Sequence, residues 1–249
     1  MTSSCPGGFL ALPAQIEQLL RNLVTAASGS FGEDLRSIIL FGSGAEGRLR
    51  ATSDLNLLFV LSRFDQSRVD AFREPLRVAH VAGRAVGMFL LESELQAAGE
   101  AFAVKFDDIA RRRRVLYGDD VISGLERSRM ARRQRLNQVL LNLSLRLRER
   151  YVVLSLREEQ LVAVIADTAG PLRSAAATLL DLEGKPAPSP RAALEEVASA
   201  LERSGWKATL ERVSAARESG SLPAGSAGET LFQLIALADA MRLRVGRLS

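Results

Sequence analysis

Over the first part of the chain the apolar positions switch between two periods. In residues 14–27, Ile16, Leu19, Leu20, Leu23 and Val24 recur at helical spacing and form one stripe, which predicts an amphipathic helix. Gly29, Ser30 and Gly32 predict its end. Residues 35–41 contain the short run Ile38-Ile39-Leu40-Phe41 stopped by a glycine, the pattern of a buried strand. Residues 55–61 and 86–91 predict a second and a third strand. Between them, Val69, Phe72, Leu76 and Ala79 are in helical register over 67–81, with Pro75 kinking or starting that helix. The order helix, strand, turn, strand, helix, strand describes a compact mixed unit.

After Glu92 strand-like runs vanish and helical periodicity takes over. Leu136, Leu140, Leu143, Leu147, Tyr151 and Leu154 fall within about 80° of arc at 100° per residue, so they share one helix face. Residues 184–190 read as a loop, with Ser189 as N-cap and Pro190 in the first turn of the next helix. Helices are expected over 192–203, 206–218 and 229–245, with a flexible connection over 219–228. The expected fold class is α+β: a mixed sheet flanked by helices over 1–93, then an all-α helical bundle domain over 94–249.

Charge and composition narrow the functions. The net charge is +4, from 33 Lys+Arg against 29 Asp+Glu. Residues 111–150 hold 12 arginines and 4 acids, so this segment carries +8 and the remainder −4. Such a block attracts phosphates or forms a solvated helix face. A hydrophobic share of 47% excludes wholesale disorder. No stretch approaches the roughly 18 to 20 apolar residues that span a bilayer, and the start lacks the pattern of a signal peptide. A cytoplasmic protein that does not enter a membrane is expected. Cys5 and His80 are the only residues of their kinds, which excludes an internal disulfide, a cysteine-rich zinc site and a histidine-cluster metal site. Cys5 reads as inert, and His80 as a packed or surface imidazole with no general-base role.

One stretch carries chemistry. The strand ending at Phe41 delivers Gly42-Ser43, followed by Gly44-Ala45-Glu46-Gly47-Arg48 and an expected helix start. Asp54 opens the next strand, and Asn56 lies two residues on, on the same face. Gly42 permits close approach of backbone N–H groups to a phosphate, Ser43 adds a hydroxyl donor, and a helix start would add partial positive charge. Glu46 and Arg48 lie in the same turn. Two acids at i and i+2 would hold divalent ions beside a triphosphate.

The stretch resembles the signature of the nucleotidyltransferase superfamily that includes DNA polymerase β and the aminoglycoside nucleotidyltransferases: a hydrophobic-Gly-Ser turn, a spacer of about ten residues, then Asp-x-Asp between apolar residues. Phe41-Gly42-Ser43 and Asp54-Leu55-Asn56 occupy those positions. The run from Asp107-Asp108-Ile109 to Leu116-Tyr117-Gly118-Asp119 is similar to the linker before the helical domain of such proteins. The resemblance implies a nucleotidyltransferase-like head, an NTP (ATP foremost) with Mg²⁺, and transfer of a nucleoside monophosphate to a small-molecule or protein acceptor. Two departures stand out: Asn56 replaces the second Asp, and the third strand, where a further carboxylate is expected, carries no acid before Glu92. One charge at about 4 Å is worth roughly 4 kcal/mol at an effective dielectric of about 20. Asp54 is thus the one carboxylate present at the catalytic and metal-binding positions that the resemblance implies, the Mg²⁺ site is weakened, and transfer is expected to be impaired. Gly42, Ser43 and Arg48 are the expected nucleotide contacts in the head. If the helix of the leucine stripe extends back to Glu126, Arg129 and Arg133 share its angular sector and are expected to line the cleft between head and tail, pairing with a triphosphate or with head carboxylates. The alternatives are a non-catalytic module that binds a nucleotide or a protein, and a nucleic-acid-binding surface. The last is disfavoured, because no aromatics alternate with the arginines.

Overall fold

The computed structural model describes residues 12–50, 53–201 and 205–248; Cys5 lies outside them. By its contacts the chain forms two compact units, residues 1–99 with 106–126, and residues 100–105 with 127–249. The boundary expected from the sequence lies at residue 93.

The first unit is built on a four-stranded sheet. Helix α1 (Ala14–Phe31) leads through a short 3-10 turn into β1 (Leu35–Phe41), followed by β2 (Leu55–Leu61), α2 (Gln66–Gly83) and β3 (Ala85–Leu91). Helices α3 (Leu95–Ala101) and α4 (Ala103–Arg111) precede β4 (Arg113–Gly118). The strand order is β3-β2-β1-β4; β1 is antiparallel to β2 and β4, while β2 and β3 are parallel. A parallel pair needs a crossover, and α2 provides it. Both sheet faces are covered. Ile38, Leu40, Leu57 and Phe59 pack with Leu20, Leu23 and Phe31 of α1 and Phe72 of α2. Ile39, Phe41, Leu58 and Val60 pack with Leu95, Phe106, Ile109 and Ile122. A sheet buried on both sides accounts for the near-continuous apolar runs of β1 and β2.

Three local expectations change. Helix α1 runs through Gly29 and Ser30 and ends only at Gly32, whose φ of +55° turns the chain; burial of Phe31 at 1% exposure extends the helix past its weak formers. Pro75 lies inside a continuous α2. Strand-like structure also does not vanish after Glu92, because β4 pairs with β1. Arg113-Arg114-Val115-Leu116-Tyr117-Gly118 hides its strand character behind arginines, which are satisfied by acids from elsewhere in the unit. Arg113 Nε donates to Asp120 Oδ1 at 2.9 Å, and Arg114 forms a two-pronged pair with Glu17 at 2.6 and 2.9 Å. Residues 111–114 therefore straddle a helix end and a strand instead of ringing a helix.

The second unit is helical: α5 (Arg129–Leu154), α6 (Glu158–Leu182), α7 (Pro190–Ala200), α8 (Trp206–Ser219) and α9 (Ser226–Gly246). The leucine stripe of α5 is buried as the periodicity predicts. Ser189 caps α7 by accepting from the Ala192 N–H at 3.1 Å. Helix α6 contacts α5, α7, α8 and α9 and is the hub of this core. Glu158 caps α9 from a distance, accepting from the N–H groups of Gly225 and Ala227 at 2.9 and 3.0 Å. No helix among the described residues is long and apolar enough to cross a membrane.

Two outcomes test this account. Gly118 has φ of +69°, and a Cβ there would lie 1.9 Å from the Arg36 carbonyl oxygen. Gly118→Ala should therefore cost at least about 2 kcal/mol of stability by denaturant melts. The hydrogen bond from Arg114 holds the Glu17 carboxyl below the usual carboxylate range, and that from Arg113 does the same for Asp120. A depressed carboxylate stabilises above its unfolded pKa of about 4 and loses that contribution as pH falls through the folded value. Glu17→Gln should flatten the loss of stability below about pH 4.5, read as the denaturation midpoint against pH.

Candidate functional site

The end of β1 is where the candidate site is assembled. Antiparallel register pairs Phe41 with Asn56. Gly42 follows at φ +77°, and a Cβ on it would sit 3.9 Å from Asn56 Nδ2. The glycine turn and the Asp-x-Asn pair are therefore direct neighbours. Residues 42–47 form consecutive turns. The expected helix start is absent, since Gly47, at φ +70°, closes the stretch on itself, with the Arg48 N–H donating to Ser43 O at 3.0 Å. The site therefore lacks a helix dipole, and its donors are local. Gly42 gives its own N–H to Arg112 O at 2.9 Å, and the Ala45 and Gly47 N–H groups donate to Gly42 and Gly44 carbonyls. Among the described residues the amides of Ser43, Gly44 and Glu46 have no such acceptor. Three unbonded N–H groups in a tight bend are the donors a phosphate requires. Gly44 lies against Leu40 and Leu55, where a Cβ would be 3.3 to 3.4 Å from their side chains, so the bend is pinned onto the core. Arg48 is exposed at its end.

A pair of acids and an arginine hold this bend from below. The Arg112 guanidinium donates to Asp108 through Nε at 3.0 Å and through a second, shorter bond, and to Glu46 at 3.4 Å. Burial opposes its charge, but Asp108 and then Glu46 outweigh burial and hold its pKa above the ordinary value. Glu46 therefore faces a half-buried cation, and Arg112 contacts the bend through both side chain and carbonyl. Sequence reasoning missed Arg112 because its role depends on residues 66 and 70 positions away.

The metal-ligand set is incomplete. Asp54 accepts from Arg84 Nε at 2.9 Å. Asn56 Nδ2 donates to the Asp54 carbonyl at 3.4 Å. The β3 residue in register with Asn56 is Val86. Among the described residues no group of three or more His, Cys, Asp or Glu side chains is placed to hold a metal ion. One carboxylate, a neutral amide and a valine do not fit a two-magnesium centre, which needs several anionic oxygens around ions about 3.5 to 4 Å apart. His80 Nδ1 lies 3.0 Å from Ala85 O, a structural contact.

The remaining expected residues lie on α5 of the second unit. Ser128 caps this helix at 3.0 Å from the Ala131 N–H, so it begins at Arg129, which is exposed. Arg133 is half-buried and donates to the Leu248 carbonyl.

No protein-family model matches the chain, and no sequence match is found among characterised proteins. A solved structure does match: a spectinomycin adenyltransferase from Enterococcus faecialis, determined with ATP and spectinomycin, aligns with a TM-score of 0.62 over 93% of this chain and 99% of that one, at 13% identity. The fold is thus an α+β nucleotidyltransferase fold with a helical C-terminal region.

Removing the cation under the bend should show in stability. Arg112→Ala leaves Asp108 and Glu46, 14% and 21% exposed, facing no countercharge. A loss of about 2 to 3 kcal/mol by chemical denaturation is expected.

Proposed function

We propose that the head binds a nucleoside triphosphate, ATP foremost, at the turn over residues 42–48, and that the protein is a nucleotidyltransferase relative with impaired transfer chemistry. The observation that carries this reading is the β1–β2 register, which lays the Gly42 bend directly against Asn56 and two residues from Asp54. Its support from likeness is the shared fold of an adenyltransferase solved with ATP. In this reading the unbonded amides after Gly42, the Ser43 hydroxyl and Arg48 take phosphate oxygens. Arg129 and Arg133 are proposed as further nucleotide contacts. The acceptor class is a small molecule or a protein, and the compartment is the cytoplasm.

Impairment follows from charge. Transfer requires the attacking hydroxyl to lose a proton and the leaving pyrophosphate to be neutralised. Asp54 is the one carboxylate at the expected positions, and Arg84 already engages it. Phosphate binding by amides and arginines needs no additional acid.

The expected result is a calorimetric ATP titration with saturable binding, while incubation with α-labelled ATP transfers no label to small-molecule acceptors or proteins. Asn56→Asp alone should leave transfer undetected, because Val86 still stands beside it. Label appearing on an acceptor with the wild-type chain would show that the chemistry is intact.

A further inference from the structure

We propose that Arg84 supplies the positive charge that a metal-dependent head takes from divalent ions, so that this protein binds a nucleoside polyphosphate without Mg²⁺. The inference rests on the nucleotide-binding reading above and identifies the counterion of that site.

Three observations carry it. The first is position. In the parallel β2–β3 pair Leu55 lies beside Ala85 and Asn56 beside Val86, and the Leu55 N–H donates to Arg84 O at 3.1 Å. The ladder thus sets Arg84 next to Asp54, and a cation and a valine flank the two positions where metal ligands are expected. The second is availability. Arg84 donates to Asp54 through Nε alone, at 2.9 Å, with side chains 56% and 42% exposed. Its terminal nitrogens have no partner among the described residues. A guanidinium held at Nε keeps its outer N–H groups for a two-pronged bond to phosphate oxygens.

The third observation is conformational. Arg84 is the only non-glycine residue with positive φ among the described residues, at φ 54° and ψ 36°. It terminates α2, where its N–H donates to the Ala79 and His80 carbonyls. Glycine is the residue that this helix-ending position favours. An exposed ion pair with Asp54 contributes little and does not repay the strained backbone. The arginine is best explained by a charge that arrives with a ligand.

The substitution also explains why binding and transfer would separate. A guanidinium neutralises phosphate charge, but it has no open coordination position and cannot acidify an attacking hydroxyl as a bound metal does. One positive charge in place of two dications suits retention of a triphosphate and not its turnover.

The test is calorimetry of the full-length chain with ATP, in excess EDTA and in excess Mg²⁺, for wild type, Arg84→Gln and Arg84→Gly, with thermal melts of each. The wild-type Kd is expected to agree within about twofold between the two conditions. Both variants should bind about tenfold more weakly in EDTA, the scale of a lost charge-assisted hydrogen bond. Arg84→Gly should also raise the thermal midpoint by about 2 to 4 °C as the left-handed backbone is relieved. A glycine variant that gains stability and loses ATP separates a ligand role from a structural one. Wild-type binding that requires Mg²⁺, or that is unchanged in Arg84→Gln, overturns this inference and leaves nucleotide binding standing. Wild-type failure to bind ATP in either condition overturns both.

Discussion

Two strand registers hold the candidate site together. The β1–β2 ladder sets Phe41 against Asn56, and the β2–β3 ladder sets Asn56 against Val86. Because side chains alternate along a strand, a slip of one residue would turn Asn56 and Asp54 to the opposite face and part them from the Gly42 bend. The apolar residues that pack both sides of the sheet make such a slip costly. A hydrophobic core thus fixes the positions of polar groups that contribute little to it. The Gly42 bend, Asp54 and Arg84 converge because they lie at the ends of adjacent strands.

Charge is distributed by the same logic. The arginine-rich segment invites a reading as a phosphate-binding surface, yet much of it is absorbed by the fold. Arg112, Arg113 and Arg114 reach Asp108 and Glu46, Asp120, and Glu17 respectively. Within the helical unit Arg132 faces Asp181, and Arg148 and Ser144 share Asp239. Neutralised guanidiniums of this kind fix elements in place and make a weak electrostatic footprint for nucleic acid. Arg48 and Arg84, outside the basic block, are exposed and are the head cations proposed to meet an incoming polyphosphate. A count of charges along the chain therefore does not separate arginines paired within the fold from those left exposed.

The sequence by itself determined the first three strands, the two long amphipathic helix faces and the Ser189 cap, because each shows as a pattern among residues a few positions apart. It also determined the Gly-Ser turn and the spacing to Asp54 and Asn56, since a bend between two short strands is a local feature. Tertiary structure decided the rest. β4 was illegible because its arginines resemble solvated positions until Asp120 and Glu17 arrive from elsewhere in the fold. The central helix α6 has no counterpart in the sequence reading; it runs through Gly170 and Pro171 because the leucines and alanines on either side of them are buried in the helical core. The helix expected after Ser43 was replaced by turns, because Gly44 and Gly47 let the chain fold back onto the sheet. Arg84 drew no notice in the sequence, being one arginine among many. Its significance depends on a left-handed backbone and on the strand beside it, both of which exist only once the sheet has formed.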